Sequence, residues 1–164
     1  MNDGTRDRPG WGAETFDASF LSALPTEELA RVRHLGISGT MLHQAASLDF
    51  SMFEHLESVQ ITNTNLSTIR GLDTTSARLV SLADVPVTDI SPISGLEEVE
   101  ELWIRSTERL EIPEDLSALS KLEELGLQAE PLVSLDGIET IPTEFHLIIN
   151  EVEDVSALAN ARVE

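Results

Sequence analysis

Apolar residues recur along this chain as φxxφxφxx[T/N]xφ, where φ is aliphatic or aromatic. Six copies align, beginning at Val32, Leu56, Ala77, Val99, Leu122 and Pro142: VRHLGISGTML, LESVQITNTNL, ARLVSLADVPV, VEELWIRSTERL with one extra residue, LEELGLQAEPL and PTEFHLIINEV. Apolar fourth and sixth positions flanked by smaller or polar ones have the period of a short strand buried on one face. The starts lie 20 to 24 residues apart, which is the spacing of stacked repeats.

A second pattern, D/N-φ-S-x-φ, runs between these cores: DASFL at 17, DFSMF at 49, NLSTI at 65, DISPI at 89, DLSAL at 115 and DVSAL at 154. An Asp or Asn oxygen followed by a brief apolar i, i+3 pair suits the capping of one helical turn. Each unit therefore predicts a strand followed by a short helix or 3-10 turn. A unit of this size cannot bury its own apolar edge, so the copies must stack, strands side by side in a parallel sheet and turns opposite. The expected class is α/β, with strands too short and too evenly spaced for a doubly wound fold.

The phrases VTDISPISGLEEVEELWI, LVSLDGIETI and NEVEDVSALAN resemble those of leucine-rich repeat proteins, in particular the 22-residue internalin-like class. The resemblance covers residues 32–158. It implies a right-handed leucine-rich repeat solenoid with a concave parallel β-sheet, short helical or 3-10 turns on the convex side, and a role in protein recognition. Secreted internalins carry a signal peptide, a wall anchor and an immunoglobulin-like domain; this sequence shows none, and an adhesin role is not expected.

The ends read differently. Residues 1–13, rich in Gly, Asp and Arg, read as a flexible tail. Residues 14–31 read as an N-terminal cap, with Phe16, Phe20, Leu21, Leu24 and Leu29 covering the first repeat, and 159–164 as a C-terminal tail. The last strand carries Phe145, Leu147, Ile148 and Ile149 and would be an open parallel edge, covered by the final residues or by a second copy in a homodimer.

If positions four and six point inward, positions three, five and seven point out of the concave face. The third-position column reads His34, Ser58, Leu79, Glu101, Glu124, Glu144. The fifth reads Gly36, Gln60, Ser81, Trp103, Gly126, His146, and the seventh Ser38, Thr62, Ala83, Arg105, Gln128, Ile148. Trp103 thus faces outward between Ser81 and Gly126, as a large aromatic at a binding hot spot does. Glu101, Glu124 and Glu144 would form a ladder able to receive Arg or Lys from a partner. Arg105 would pair with a carboxylate or stack on the indole. Trp103, Arg105, Glu101, Glu124, Glu144, His146, Gln60 and Gln128 are the candidate partner-binding residues.

Charge sharpens this picture. Among 164 residues, 30 are acidic and 10 basic, for a formal charge of −20 and a pI near 4.3. Such a surface argues against nucleic acid, whose phosphates require clustered Lys and Arg, and favours a partner protein with a basic patch. The absence of cysteine excludes disulfides and thiolate zinc sites. No run of apolar residues is long enough to span a membrane, and MNDGTRDRPGWGAETF lacks a signal-peptide core, so a cytoplasmic location is expected.

Catalytic chemistry finds little support. His34, His43, His55 and His146 have no metal-ligand spacing, and neither a nucleophile elbow nor a phosphate-binding glycine loop occurs. No cofactor or metal is expected. The expected function is a non-enzymatic protein–protein interaction module using its concave face. The alternative is an acidic immunity or inhibitor protein that blocks a basic effector such as a nuclease toxin.

Overall fold

The aliphatic pairs at positions four and six generate six strands: β1 (His34–Ser38), β2 (Ser58–Thr62), β3 (Leu79–Val85), β4 (Glu101–Ser106), β5 (Glu124–Gln128) and β6 (His146–Ile149). The computed structural model describes residues 21, 24–39, 47–129, 134–142, 144 and 146–149. The strands form one sheet in chain order, and every neighbouring pair is parallel. Parallel neighbours cannot be joined by a tight hairpin, so each crossover must return along the other side of the core.

Among the described residues the crossovers carry short turns, four of them 3-10, at Phe50–Met52, Leu72–Thr74, Ser91–Gly95 and Ile138–Thr140. Parallel bridges Ser47–Thr68, Thr68–Asp89 and Asp89–Glu111 tie successive crossovers into a second ladder one residue wide. The result is an α/β arrangement of a parallel sheet with few, short helices. The short α-helix α1 (Thr26–Leu29) precedes β1 and buries Leu29, while Leu21 and Leu24 pack partly buried against the core. Phe16 and Phe20 of the expected cap, both tails and the patterns at 17 and 154 lie outside the described residues.

Between sheet and turns lies a continuous apolar core. On the sheet side Val59, Ile61, Val80, Leu82, Leu102, Ile104, Leu125 and Leu127 are buried; from the crossovers come Phe50, Phe53, Leu72, Ile93, Leu116 and Leu119. Burying each such side chain contributes about 1.5–3 kcal/mol. This burial fixes the direction of every odd-numbered position in β2–β5.

Turn capping takes two forms. Asp49, Asp89 and Asp115 each accept a hydrogen bond from the backbone N–H two residues on, at Ser51, Ser91 and Ser117. Their carboxyls lie below the ordinary 3.8: for Asp49 and Asp89 chiefly because the side chains of Ser51 and Ser91 donate to them, with the backbone bonds adding, and for Asp115 because of the Ser117 N–H first and its side chain second. The crossovers after β2 and β5 instead enter the turn through left-handed glycines, Gly71 (φ 79°) and Gly137 (φ 90°). In both, a threonine hydroxyl closes the turn by donating to the glycine carbonyl, Thr74 to Gly71 and Thr140 to Gly137. The expected cap at Asn65 is therefore corrected: NLSTI contains the Thr68 bridge, Asn65 Oδ1 accepts no hydrogen bond from the described residues, and the crossover turns at Gly71.

The sixth copy is also corrected. Glu124 pairs with His146, Leu125 with Leu147, Gly126 with Ile148 and Leu127 with Ile149. The strand is thus displaced by two residues from the expected alignment, and its repeat starts at Glu144, not Pro142. Phe145, Leu147 and Ile149 share one parity in sequence, so a two-residue slip leaves the alternation unchanged. The slip brings the last spacing to that of the other repeats.

Candidate functional site

On the outer face of the sheet, away from the core, the register sets three rows across the strands. His34, Ser58, Leu79, Glu101, Glu124 and His146 form one; Gly36, Gln60, Ser81, Trp103, Gly126 and Ile148 the next. Ser38, Thr62, Ala83, Arg105 and Gln128 form the third. For β1 to β5 these rows are the ones read from the sequence.

Trp103 is half-buried, and its indole leans across β5. A Cβ added at Gly126 would lie 2.5 Å from Cζ3 and 2.8 Å from Cδ2 of that ring, and closer still to Cε3. The six-membered ring therefore rests directly on the Gly126 backbone, which is buried beneath it. A glycine is required there by close approach, not by its backbone angle. A cavity of about 200 Å³ opens along Trp103 on its Arg105 side, bordered by Ser81 and Ala83 of β3, Arg105 of β4, and Gly126 and Gln128 of β5.

Arg105 neither stacks on the indole nor pairs with the glutamates. Its guanidinium donates to Asp84 Oδ2 at 2.5 Å, drawing the side chain toward β3. Asp84 is left-handed (φ 56°), as are Gly39 (φ 76°) and Asn63 (φ 53°), which likewise follow the seventh position. β4 lacks this residue: Ser106 pairs directly with Val85, leaving Asp84 bulged out of the ladder. Sequence reading missed Asp84, because the alternation rule says nothing of a residue outside it.

The ladder of three glutamates reduces to two. Glu101 and Glu124 are directly paired in register, and the next place holds the exposed His146. Glu144 lies two residues before β6, exposed and outside the row. His146 therefore stands beside Glu124, and Ile148 takes the place beside Gly126 expected of His146. Gln60 is exposed on β2, separated from Trp103 by Ser81; Gln128 is half-buried and borders the cavity. The site thus gathers Trp103, Arg105, Glu101, Glu124, Gln128 and His146, and leaves out Glu144 and Gln60.

A charge pattern at the N-terminal edge of the sheet also escaped the sequence reading. Second-position residues Arg33, Glu57, Arg78 and Glu100 alternate in sign, and Arg33 pairs with Glu57 and Arg78 with Glu100. Lys121 pairs with Glu98 at 2.5 Å. The alternation is visible in the repeats once that column is read. These pairs are exposed, and pairs of this kind contribute little to stability, but they occupy cations that could otherwise neutralise the outer face.

The crossover side carries a broader open groove of about 830 Å³ bordered by Asp49, Arg70, Asp73 and Asp89. Asp49 and Asp89 are already committed to capping, and Arg70 lies 4.0 Å from Asp49. Among the described residues no group of three or more His, Asp or Glu side chains is placed to hold a metal ion. No helix among them is long and apolar enough to cross a membrane. No known protein family matches this chain, and no curated protein is significantly similar to it.

Proposed function

We propose that this chain is a leucine-rich repeat solenoid of the internalin-like class, acting as a cytoplasmic, non-enzymatic interaction module that binds a partner protein on its concave sheet face. The supporting observation is the arrangement around Trp103: an aromatic ring seated on a glycine and bordering a small cavity, with Glu101 and Glu124 paired two residues earlier on the same two strands. Hot spots concentrate in such semi-enclosed aromatic positions. The parallel sheet in chain order, with short turns in its crossovers, supports the solenoid reading.

The test is recovery of a partner from the native host on immobilised protein, comparing wild type with Trp103→Ala and with Arg109→Ala on the opposite side. Loss of one partner with Trp103→Ala alone, in a variant whose circular dichroism is unchanged, supports the reading. Equal recovery by all three sinks it.

The charge of −20 and the paired Glu101 and Glu124 favour a second, narrower reading: an acidic immunity or inhibitor protein that blocks a basic effector. Complex formation dominated by charge must weaken steeply from low to high salt, whereas an aromatic anchor retains most of its affinity.

A further inference from the structure

Resting on the reading that the outer sheet face binds a protein, we infer that Asp84 is a positioning residue for that face: it holds the Arg105 side chain off the Trp103 indole and so keeps the cavity between them open. Without Asp84, Arg105 folds back onto the ring and closes the site with the chain's own guanidinium.

Two groups compete for this one cation. Arg105 follows Trp103 by two residues on β4, on the same face of the sheet and about 7 Å along the strand. A guanidinium is attracted to an indole face within about 6 Å of the ring centroid, and the methylene stem of arginine spans that separation. The ring rests on Gly126, and the cavity of about 200 Å³ borders it on the Arg105 side. At about 30 Å³ per water that is the room of a single long side chain, so Arg105 lying back against the ring would fill it.

One ion pair prevents this. The guanidinium donates to Asp84 Oδ2 at 2.5 Å, and among the described residues Asp84 is the only carboxylate it pairs with. The two side chains are 47% and 43% exposed. An exposed ion pair and an exposed cation–π contact are of similar strength. Asp84 therefore decides between two placements of comparable energy.

The backbone explains how a carboxylate comes to stand there. Asp84 occupies the eighth position of its repeat, which alternation turns toward the core. In β4 the same position holds Ser106, buried and donating to the Val87 carbonyl. A carboxylate in that place would lose its hydration. The left-handed Asp84 (φ 56°) instead bulges out of the ladder, and Val85 takes the buried place opposite Ser106. Gly39 and Asn63, left-handed at the same position in β1 and β2, are uncharged. Of these three, the charged one directly follows Ala83, the register partner of Arg105.

The test is acrylamide quenching of the full chain carrying Trp11→Phe, so that the emission belongs to Trp103. Asp84→Gly removes the carboxylate and suits the positive φ, as Gly39 does in β1. The expected result is a quenching constant lowered about twofold, the value for a ring covered half of the time. Asp84→Gly combined with Arg105→Gln should return it to the parent value or above. A folding defect would expose the half-buried indole and raise quenching, so it cannot mimic the fall. Unchanged or raised quenching in Asp84→Gly, or a fall that persists without Arg105, overturns the inference. Partner capture reads the parent proposal separately: it should weaken about twofold in Asp84→Gly, while the double variant should match Arg105→Gln alone. Capture that ignores a demonstrated covering of the ring removes the concave-face reading and leaves the role of Asp84 standing.

Discussion

Gly126→Ala isolates the seat of Trp103. One methyl group placed there would stand 2.5 Å from Cζ3 and 2.8 Å from Cδ2. Carbon atoms in contact need about 3.5 Å, so the ring must lift by at least about 1 Å. The indole is the far end of a side chain with two rotatable bonds, and it swings off more cheaply than the strand moves. Two stability terms then oppose each other. Alanine in a strand interior gains roughly 0.5–1 kcal/mol over glycine, and the lost ring-to-backbone contact costs a comparable amount. The expected net change in unfolding free energy is within about 1 kcal/mol, measured by urea denaturation. In a Trp11→Phe background, Trp103 emission must shift to the red and its acrylamide quenching must rise. Partner binding must fall. Unchanged emission and quenching with a folded protein would refute the claim that the ring rests on Gly126.

Glycine substitutions elsewhere must separate sharply. Gly137→Ala places a Cβ against the Pro113 carbonyl oxygen at a residue with φ of 90°, and should cost at least about 1–2 kcal/mol, whereas Gly36→Ala meets nothing within 4 Å and should be neutral or stabilising by urea titration. Leu102→Ala, at a fully buried position in β4, should destabilise by about 2–5 kcal/mol on the same assay. Asp49→Ala removes the acceptor for the Ser51 N–H and should cost about 1 kcal/mol. The lowered carboxyls of Asp49, Asp89 and Asp115 mean that the folded chain binds fewer protons than the unfolded one near the ordinary 3.8. Their contribution is present above that pH and lost as pH falls through the lower folded values. The triple Asp→Asn variant should therefore show a shallower loss of stability in that acid range than wild type.

How far the sequence could be read depends on what each position has to satisfy. In β1 to β5 the inward aliphatic pairs leave one register, because a shift by one residue would expose Val59, Val80, Leu102 and Leu125 to water. That constraint placed Trp103 beside Ser81 and Gly126, as the sheet does. In β6 the apolar run offers two registers of equal parity, and only the stacking of the preceding repeat distinguishes them. Hydrophobic pattern was silent on that choice, and the mistaken place of Glu144 in the carboxylate row followed from it. NLSTI failed for a different reason. Asp or Asn before a Ser is short and degenerate, and the turn after β2 is set by the left-handed Gly71. Arg105 was expected either to pair or to stack; the bulged Asp84 decided the matter through a residue that alternation does not describe.

The partition of charge gives the outer face its character. Six described cations have intrachain carboxylate partners: Arg33, Arg70, Arg78, Arg105, Arg109 and Lys121. Their partners are Glu57, Asp49, Glu100, Asp84, Glu111 and Glu98, at the sheet's N-terminal edge, in the crossovers or at the strand exit. None of the six cations reaches Glu101 or Glu124. Pairs this exposed do little for stability, so their chief effect is spatial: they neutralise the rim and leave the two carboxylates beside Trp103 uncompensated. Removing one such cation should then barely change folding while adding one negative charge at a distance from the site. Arg70→Gln, on the crossover side near Asp49, is the discriminating case. If the outer face draws its partner by local contact, affinity should stay nearly constant; if it acts through the field of the whole acidic chain, association should speed up at low salt and the gain should vanish at high salt.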